Sequence, residues 1–247
     1  MVEWEELAVL AAGMGAYWLP ECAERFLQRR REDILVRVFY RRMRPMVERL
    51  FFAYARVGIM ALYAGLVWWV VQQPRSLHDK FAMVIFLSIL FTVVLTDLMA
   101  WLIPNSLTLG GSLFFAMHSW FERPDSFGWL SLAALGIYGV GYLVWRKTKG
   151  IGMGDVKLLV MAVWLLGLDL FFALWLSSWS AFLTVVGRSL ACGQWMGRSP
   201  LPYAPHLAAG MIVALLFDGV ASHWLNGWCA GFSWFAYWPE IQVLSFL

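Results

Sequence analysis

The chain of 247 residues is 61% hydrophobic and only 14% charged, with a mean hydropathy of +0.66. A water-soluble domain is roughly 45–50% apolar and about 25% charged, so this composition excludes a soluble globule and predicts a membrane protein. The net charge of +3 is too small to indicate a nucleic-acid partner. The three cysteines form no Cys-x-x-Cys pair, so they predict neither a zinc site nor a disulfide framework.

Stretches free of charged residues predict an all-α, polytopic membrane protein with about eight transmembrane helices. The predicted spans are, in chain order, 7–20, 54–72, 81–97, 106–121, 127–145, 156–168, 170–187 and 205–224. Between the third and fourth spans Pro104 breaks the helix, and Asn105 or Ser106 can cap the next one. The aromatic stretch beyond the eighth span suits the membrane interface better than a ninth crossing.

Basic residues are distributed unequally between the connections. Sixteen of the nineteen Lys and Arg fall within residues 21–56, 146–157 and 188–205. By the positive-inside rule these connections face the cytoplasm, and both termini face outward. The Arg-rich loop at 21–56 is expected to lie as an amphipathic helix on anionic headgroups, or to form a surface that gathers a substrate.

Ionisable side chains within membrane segments are costly and mark functional candidates. They are Asp97, Asp155, Asp169, Asp218, His118, His206 and His223. The topology places Asp97 at the end of the third span and Asp155 at the start of the sixth, both on the cytoplasmic side. Two carboxyl groups brought close together share one proton, so that one activates water while the other polarises a carbonyl. This is the chemistry of an aspartic protease.

Glycines precede the second of these aspartates, at positions 150, 152 and 154. They permit positive φ and close backbone approach, which a catalytic pair lying against an extended peptide needs. The same spacing also fits a glycine-rich connection that ends in an acidic helix cap. For Asp169, Asp218, His118 and His206 a structural or headgroup role is the simpler interpretation.

Three segments together resemble the type IV prepilin peptidase family, membrane aspartic proteases with a Gly-x-Gly-Asp motif. Asp97 is followed seven residues later by Pro104-Asn105, and residues 152–157 read Gly-Met-Gly-Asp-Val-Lys. Residues 199–210 resemble the proline-rich approach to the family's last helix, with Pro-Tyr-Ala-Pro at 202–205 where the family usually has Pro-Phe-Gly-Pro. The resemblance covers about residues 80–225.

The resemblance implies a peptidase that removes the basic leader of prepilin or pseudopilin precursors at the cytoplasmic face of the bacterial inner membrane. Its partners would be the precursor and membrane lipid, and no cofactor is implied. Asp97 and Asp155 match the catalytic aspartates. Residues expected to support the site are Gly152, Gly154, Lys157, Pro104 and Asn105. Lys157 would either steady the charge of the pair or bind headgroups.

The resemblance also implies a division of the chain. Residues 1–56 would form an N-terminal helix with the Arg-rich loop, 57–225 the peptidase domain and 226–247 an aromatic tail. Many relatives carry two Cys-x-x-Cys pairs in a cytoplasmic N-terminal region associated with N-methylation of the product. This chain has only Cys22 there, so methylation is left open without support.

Other classes of protein fit part of the pattern. A presenilin-like protease also uses Gly-x-Gly-Asp, but places Tyr before its first aspartate, where this chain has Thr96. A proton-coupled transporter needs acids along a path across the membrane, whereas a protease needs two on one side. A catalytically silent assembly factor would keep the fold alone. No metalloprotease or rhomboid-type serine motif occurs.

Overall fold

A computed structural model describes residues 11–12, 14–16, 18–28, 53–148, 151–193 and 201–217. Every regular element among them is a helix, which confirms the all-α prediction. The helices are α1 (Leu19–Gln28), α2 (Ala53–Gln72), α3 (Leu77–Ala100), α4 (Asn105–Glu122), α5 (Pro124–Thr148), α6 (Met153–Leu166), α7 (Asp169–Cys192) and α8 (Ala204–Leu216). The predicted amphipathic helix at 29–44, Asp218, His223 and the tail at 226–247 lie outside these residues.

The bounds of α2 to α7 follow the predicted spans with differences of up to five residues at their ends. The first and last spans differ more. Helix α1 shares only two residues with the predicted span 7–20, of which residues 11–12 and 14–16 are also helical, and α8 ends at Leu216, with 218–224 of its predicted span outside the described residues. The break at Pro104 is confirmed, because α3 ends at Ala100 and α4 begins at Asn105. Helix α3 begins four residues earlier than predicted because the hydroxyl of Ser76 accepts the N–H of Asp79 at 3.0 Å and caps the helix. Helix α7 extends to Cys192, beyond the predicted end at 187, and includes Arg188.

Among the described residues, three helices, α3, α5 and α7, are long and apolar enough to cross a bilayer, and residues 57–72 and α8 are shorter apolar helices. The protein is therefore a multi-pass membrane protein, while the count of eight crossings stays a prediction. The most apolar stretches of α5 and α7 are only 11% and 17% buried, against 61% for α3. Helices α5 and α7 thus offer apolar surface to lipid, whereas α3 is an interior helix.

The chain divides into two compact units, Met1–Gly111 and Ser112–Leu247. In the first, α3 contacts both α1 and α2. The hydroxyls of Tyr63 on α2 and Ser88 on α3 lie 2.6 Å apart. Near the C-terminal end of α3, the fully buried Ala23 of α1 packs against Leu95, Met99 and Ala100. The helix that carries Asp97 is therefore packed on two sides.

In the second unit, the helix contacts depend on small residues, as is common where membrane helices approach closely. A Cβ on Gly141 of α5 would lie 2.6 Å from a methyl carbon of Val156 on α6. A Cβ on Gly210 of α8 would collide with the backbone carbonyl oxygen of Ala173 on α7. Glycine at these two positions lets α5 approach α6 and α8 approach α7.

The far end of α6 is held by side chains from the segment that precedes α5. Ser119 donates a hydrogen bond to the carbonyl of Trp164 at 2.7 Å, and Arg123 donates to that of Leu165 at 3.4 Å. These carbonyls belong to the last turn of α6, which has no further helical N–H to bond. Gly167 follows with φ of +54°, so the chain turns into α7 after two residues.

Replacing Gly210 by alanine is expected to destabilise the protein by about 1–3 kcal/mol, because the methyl group must displace the backbone of α7. The matched control is Gly136→Ala on α5, where an added Cβ meets nothing within 4 Å. Thermal unfolding of both variants in detergent measures the effect. Equal melting temperatures for Gly210→Ala and the wild type would contradict the close contact.

Candidate active site

Asp97 lies in the last turn of α3, and its side chain is buried, with 7% of its surface exposed. The backbone carbonyl of Asp97 accepts the N–H of Trp101 at 2.8 Å. Trp101 ends the helix in the left-handed conformation, with φ of 54° and ψ of 39°. A residue with a Cβ pays roughly 1–2 kcal/mol for this conformation, so the surrounding packing must hold the turn that follows Asp97.

Pro104 and Asn105, the predicted supporting residues, start the next helix. The carbonyl of the buried Pro104 accepts the N–H groups of Leu107 and Thr108 at 3.1 and 3.3 Å. The helix therefore begins directly after the proline, whose ring cannot continue α3. Residues 101–104 separate the end of α3 from the start of α4. The turn that follows Asp97 therefore has a helix on each side.

Asp155 occupies the third position of α6 and is 9% exposed. The N–H of Gly152, the residue before the helix, donates to Oδ2 of Asp155 at 3.2 Å. The N–H of Asp155 in turn donates to the carbonyl of Gly152 at 3.1 Å. This reciprocal pairing resembles a capping box. It fixes the carboxyl group against the backbone at the beginning of the helix.

The reason expected for the glycines is partly wrong. Gly152 has φ of −68° and ψ of 139°, and Gly154 lies within the helix, so neither uses positive φ, while Gly150 lies outside the described residues. What Gly152 provides is space, because a Cβ there would lie 2.8 Å from Oδ2 of Asp155. The group that approaches the backbone of Gly152 closely is thus the carboxyl group of Asp155. Lys157 follows on the same helix and is half-buried, and its role stays a prediction.

Burial and one hydrogen bond define the surroundings of the Asp155 carboxyl group. A buried carboxylate loses its hydration and needs hydrogen-bond donors from the protein. The N–H of Gly152 is one such donor, 3.2 Å from Oδ2.

The other ionisable candidates have different surroundings. Asp169, expected in an outer loop, is the first residue of α7 and is 9% exposed. It lies where α6 is joined to α7, at the opposite end of α6 from Asp155. His118 is half-buried on α4. His206, near the start of α8, places Nδ1 2.8 Å from the hydroxyl of Ser180 on α7.

Two serines that face α8 were not among the predicted residues. Ser177 and Ser180 each meet a side chain at the start of α8. The signal available in the sequence was three serines between residues 177 and 180, within an otherwise apolar span. Their partners lie 26 positions further along the chain, so the spacing alone could not pair them.

These helices and motifs coincide with a known family. A sequence model of the type IV leader peptidase family matches residues 84–217, which is more than half of the chain. The chain belongs to the type IV leader peptidase family. The match begins within α3 and ends just after α8, so it contains Asp97, Asp155 and the proline-rich segment.

A curated relative supports the assignment to this peptidase family. The prepilin leader peptidase/N-methyltransferase of Bacillus subtilis (strain 168) is 31% identical over 150 residues. The aligned region is 60% of this chain and 60% of the relative, so less than two thirds of the relative's length is covered. No solved structure matches the chain. The family model covers most of α3 and all of α4 to α8, while α1 and α2 lie outside the matched residues.

Proposed function

We propose that this protein is a prepilin leader peptidase, an aspartic endopeptidase that removes the basic leader from type IV prepilin or pseudopilin precursors. Membership of the leader peptidase family carries the proposal. The name of the relative from Bacillus subtilis agrees with this substrate class. The peptidase function is assigned to residues 57–225, with residues 1–56 and 226–247 outside the peptidase domain.

Asp97 and Asp155 are proposed to supply the two carboxyl groups of the reaction. One, as the carboxylate, takes a proton from the attacking water, and the other, protonated, donates a hydrogen bond to the scissile carbonyl. When the amine leaves, the proton passes to it and the two roles exchange. Both side chains are buried, and both stand where a helix begins or ends. Burial removes competing water and strengthens each hydrogen bond to the reacting groups.

The reaction is proposed to occur at the cytoplasmic face of the bacterial inner membrane. The support is the distribution of basic residues, which assigns the end of α3 and the start of α6 to the cytoplasmic side. The precursor's apolar helix would lie in the bilayer while its basic leader stays at the headgroups. Membrane lipid is therefore a second partner. Methylation of the product stays open without support, since this chain has only Cys22 where many relatives carry two Cys-x-x-Cys pairs.

Asp97→Asn and Asp155→Asn are each expected to lower the cleavage rate by about 10²–10⁴-fold or more, since each removes one half of the acid–base pair. The assay co-expresses each variant with a prepilin-type precursor and follows the loss of the leader by gel mobility. Mass spectrometry of the new N-terminus identifies the cut bond and shows whether the amine is methylated.

Two controls separate catalysis from other roles of acidic residues. Asp125→Asn changes an exposed carboxylate in the first turn of α5 and should retain wild-type cleavage. Asp169→Asn changes the buried acid at the opposite end of α6 and α7 and should retain substantial activity. Equal losses at Asp97, Asp155 and Asp169 would instead indicate a proton relay across the membrane. If the wild-type protein inserts correctly but leaves the precursor uncut, the result contradicts peptidase activity on that precursor.

A further inference from the structure

Two pairs of polar side chains join α7 to the start of α8. The hydroxyl of Tyr203 lies 3.1 Å from that of Ser177, and Nδ1 of His206 lies 2.8 Å from the hydroxyl of Ser180. The rings of Tyr203 and His206 also lie near each other, with centroids 6.4 Å apart. We call these four side chains the polar clasp. Nothing in the proposed acid–base chemistry accounts for them.

The first of these pairs has a defined donor. The hydroxyl of Ser177 donates its single proton to the carbonyl of Leu174 at 2.8 Å. Tyr203 must therefore donate to the oxygen of Ser177, which is fully buried. Phenylalanine has no hydroxyl and could not make this bond, so Tyr203→Phe removes it while keeping the ring.

Ser180 of the clasp lies about as far along α7 as Asp155 lies from the end of α6. Helices α6 and α7 contact each other and are joined by a two-residue turn, so they run antiparallel. Asp155 stands about 16 Å from the end of α6, and Ser180 stands about 16 Å from the start of α7, at 1.5 Å per residue. Helix α8, which begins at the clasp, contacts both α6 and α7.

A second contact holds α8 in register with α7. Further along α8, Gly210 lies directly against the backbone carbonyl of Ala173. Ala204, beside Tyr203, is completely buried. With the polar clasp at one point and this backbone contact at another, α8 can neither slide nor rotate against α7 without breaking one of them.

We propose that Tyr203 and His206 are positioning residues for the peptidase reaction: through Ser177 and Ser180 they fix the start of α8 at the depth of Asp155. The extended part of the precursor must pass this level to reach the carboxyl group. A displaced α8 would alter the space beside Asp155 without removing any reacting group. The inference rests on the proposed function, because it concerns the turnover of the precursor.

The test compares adjacent serines in the full chain in detergent. Ser177 and Ser178 both donate to the carbonyl of Leu174 at 2.8 Å, but only Ser177 also meets Tyr203. Ser177→Ala and Ser180→Ala are expected to lower kcat by about threefold to tenfold, the effect of one net hydrogen bond. KM for a prepilin-type precursor should stay within about twofold, because the precursor's own contacts are unchanged.

Two further variants control for loss of the serine itself. Ser178→Ala should leave kcat at the wild-type value. Ser180→Thr keeps the hydroxyl and should restore most of the kcat lost in Ser180→Ala. Tyr203→Phe combined with Ser177→Ala should lower kcat no further than either change alone, since both remove the same hydrogen bond.

The outcomes separate this inference from the proposed function. If the wild type cuts the precursor but Ser177→Ala and Ser180→Ala match Ser178→Ala in kcat, the positioning role is wrong. A lower melting temperature with unchanged kcat would also overturn it, because the clasp would then only stabilise the fold. If the wild type cuts no prepilin-type precursor, the proposed function fails first, and the positioning role fails with it.

Discussion

Backbone N–H and C=O groups find no water in the hydrocarbon core of a bilayer, so each must be bonded within the protein. This constraint makes helices the regular structure of the chain and leaves helix ends as the places where unpaired backbone groups remain. Both candidate aspartates lie at such ends. Asp97 stands in the last turn of α3, and Asp155 pairs with Gly152 at the start of α6. The two candidate carboxyl groups thus occupy positions where the helices already require polar partners.

One hydrogen bond offsets the burial of the Asp155 carboxyl group. A carboxylate removed from water is disfavoured, and the N–H of Gly152 partly replaces the lost hydration. A larger residue in place of Gly152 would occupy the space of the carboxyl oxygen. The glycine therefore holds this carboxyl group by its lack of a side chain and by its backbone donor together.

Within the second unit, close contacts at a few small residues decide how the helices pack against one another. Gly141 admits Val156, the neighbour of Asp155, and Gly210 lies against the carbonyl of Ala173. Membrane helices gain little from burying apolar surface against each other, because lipid is equally apolar, so close packing and hydrogen bonds decide their arrangement. The polar clasp supplies the hydrogen bonds and the glycines supply the close packing. Together they set α5 against α6 and α8 against α7.

Much of the fold could be predicted from local sequence. The apolar runs gave the helices, the proline gave the break at 104, and the glycine–aspartate motif gave the start of α6, because each depends on residues close in the chain. Helix ends were less accurate. The cap at Ser76 starts α3 four residues before the predicted start at 81. The charged Arg188 did not end α7, because a single long side chain at a membrane edge can reach the headgroups.

The sequence by itself determined that this is a helical membrane protein of the leader peptidase type, with Asp97 and Asp155 as candidates for its chemistry. Only the tertiary structure shows which helices lie next to one another. Ala23 packs on Met99, and Ser180 meets His206 across 26 positions of chain. It also decided that Gly152 supplies space rather than positive φ. Such pairings depend on the rotation and depth of whole helices, which no local pattern of residues specifies.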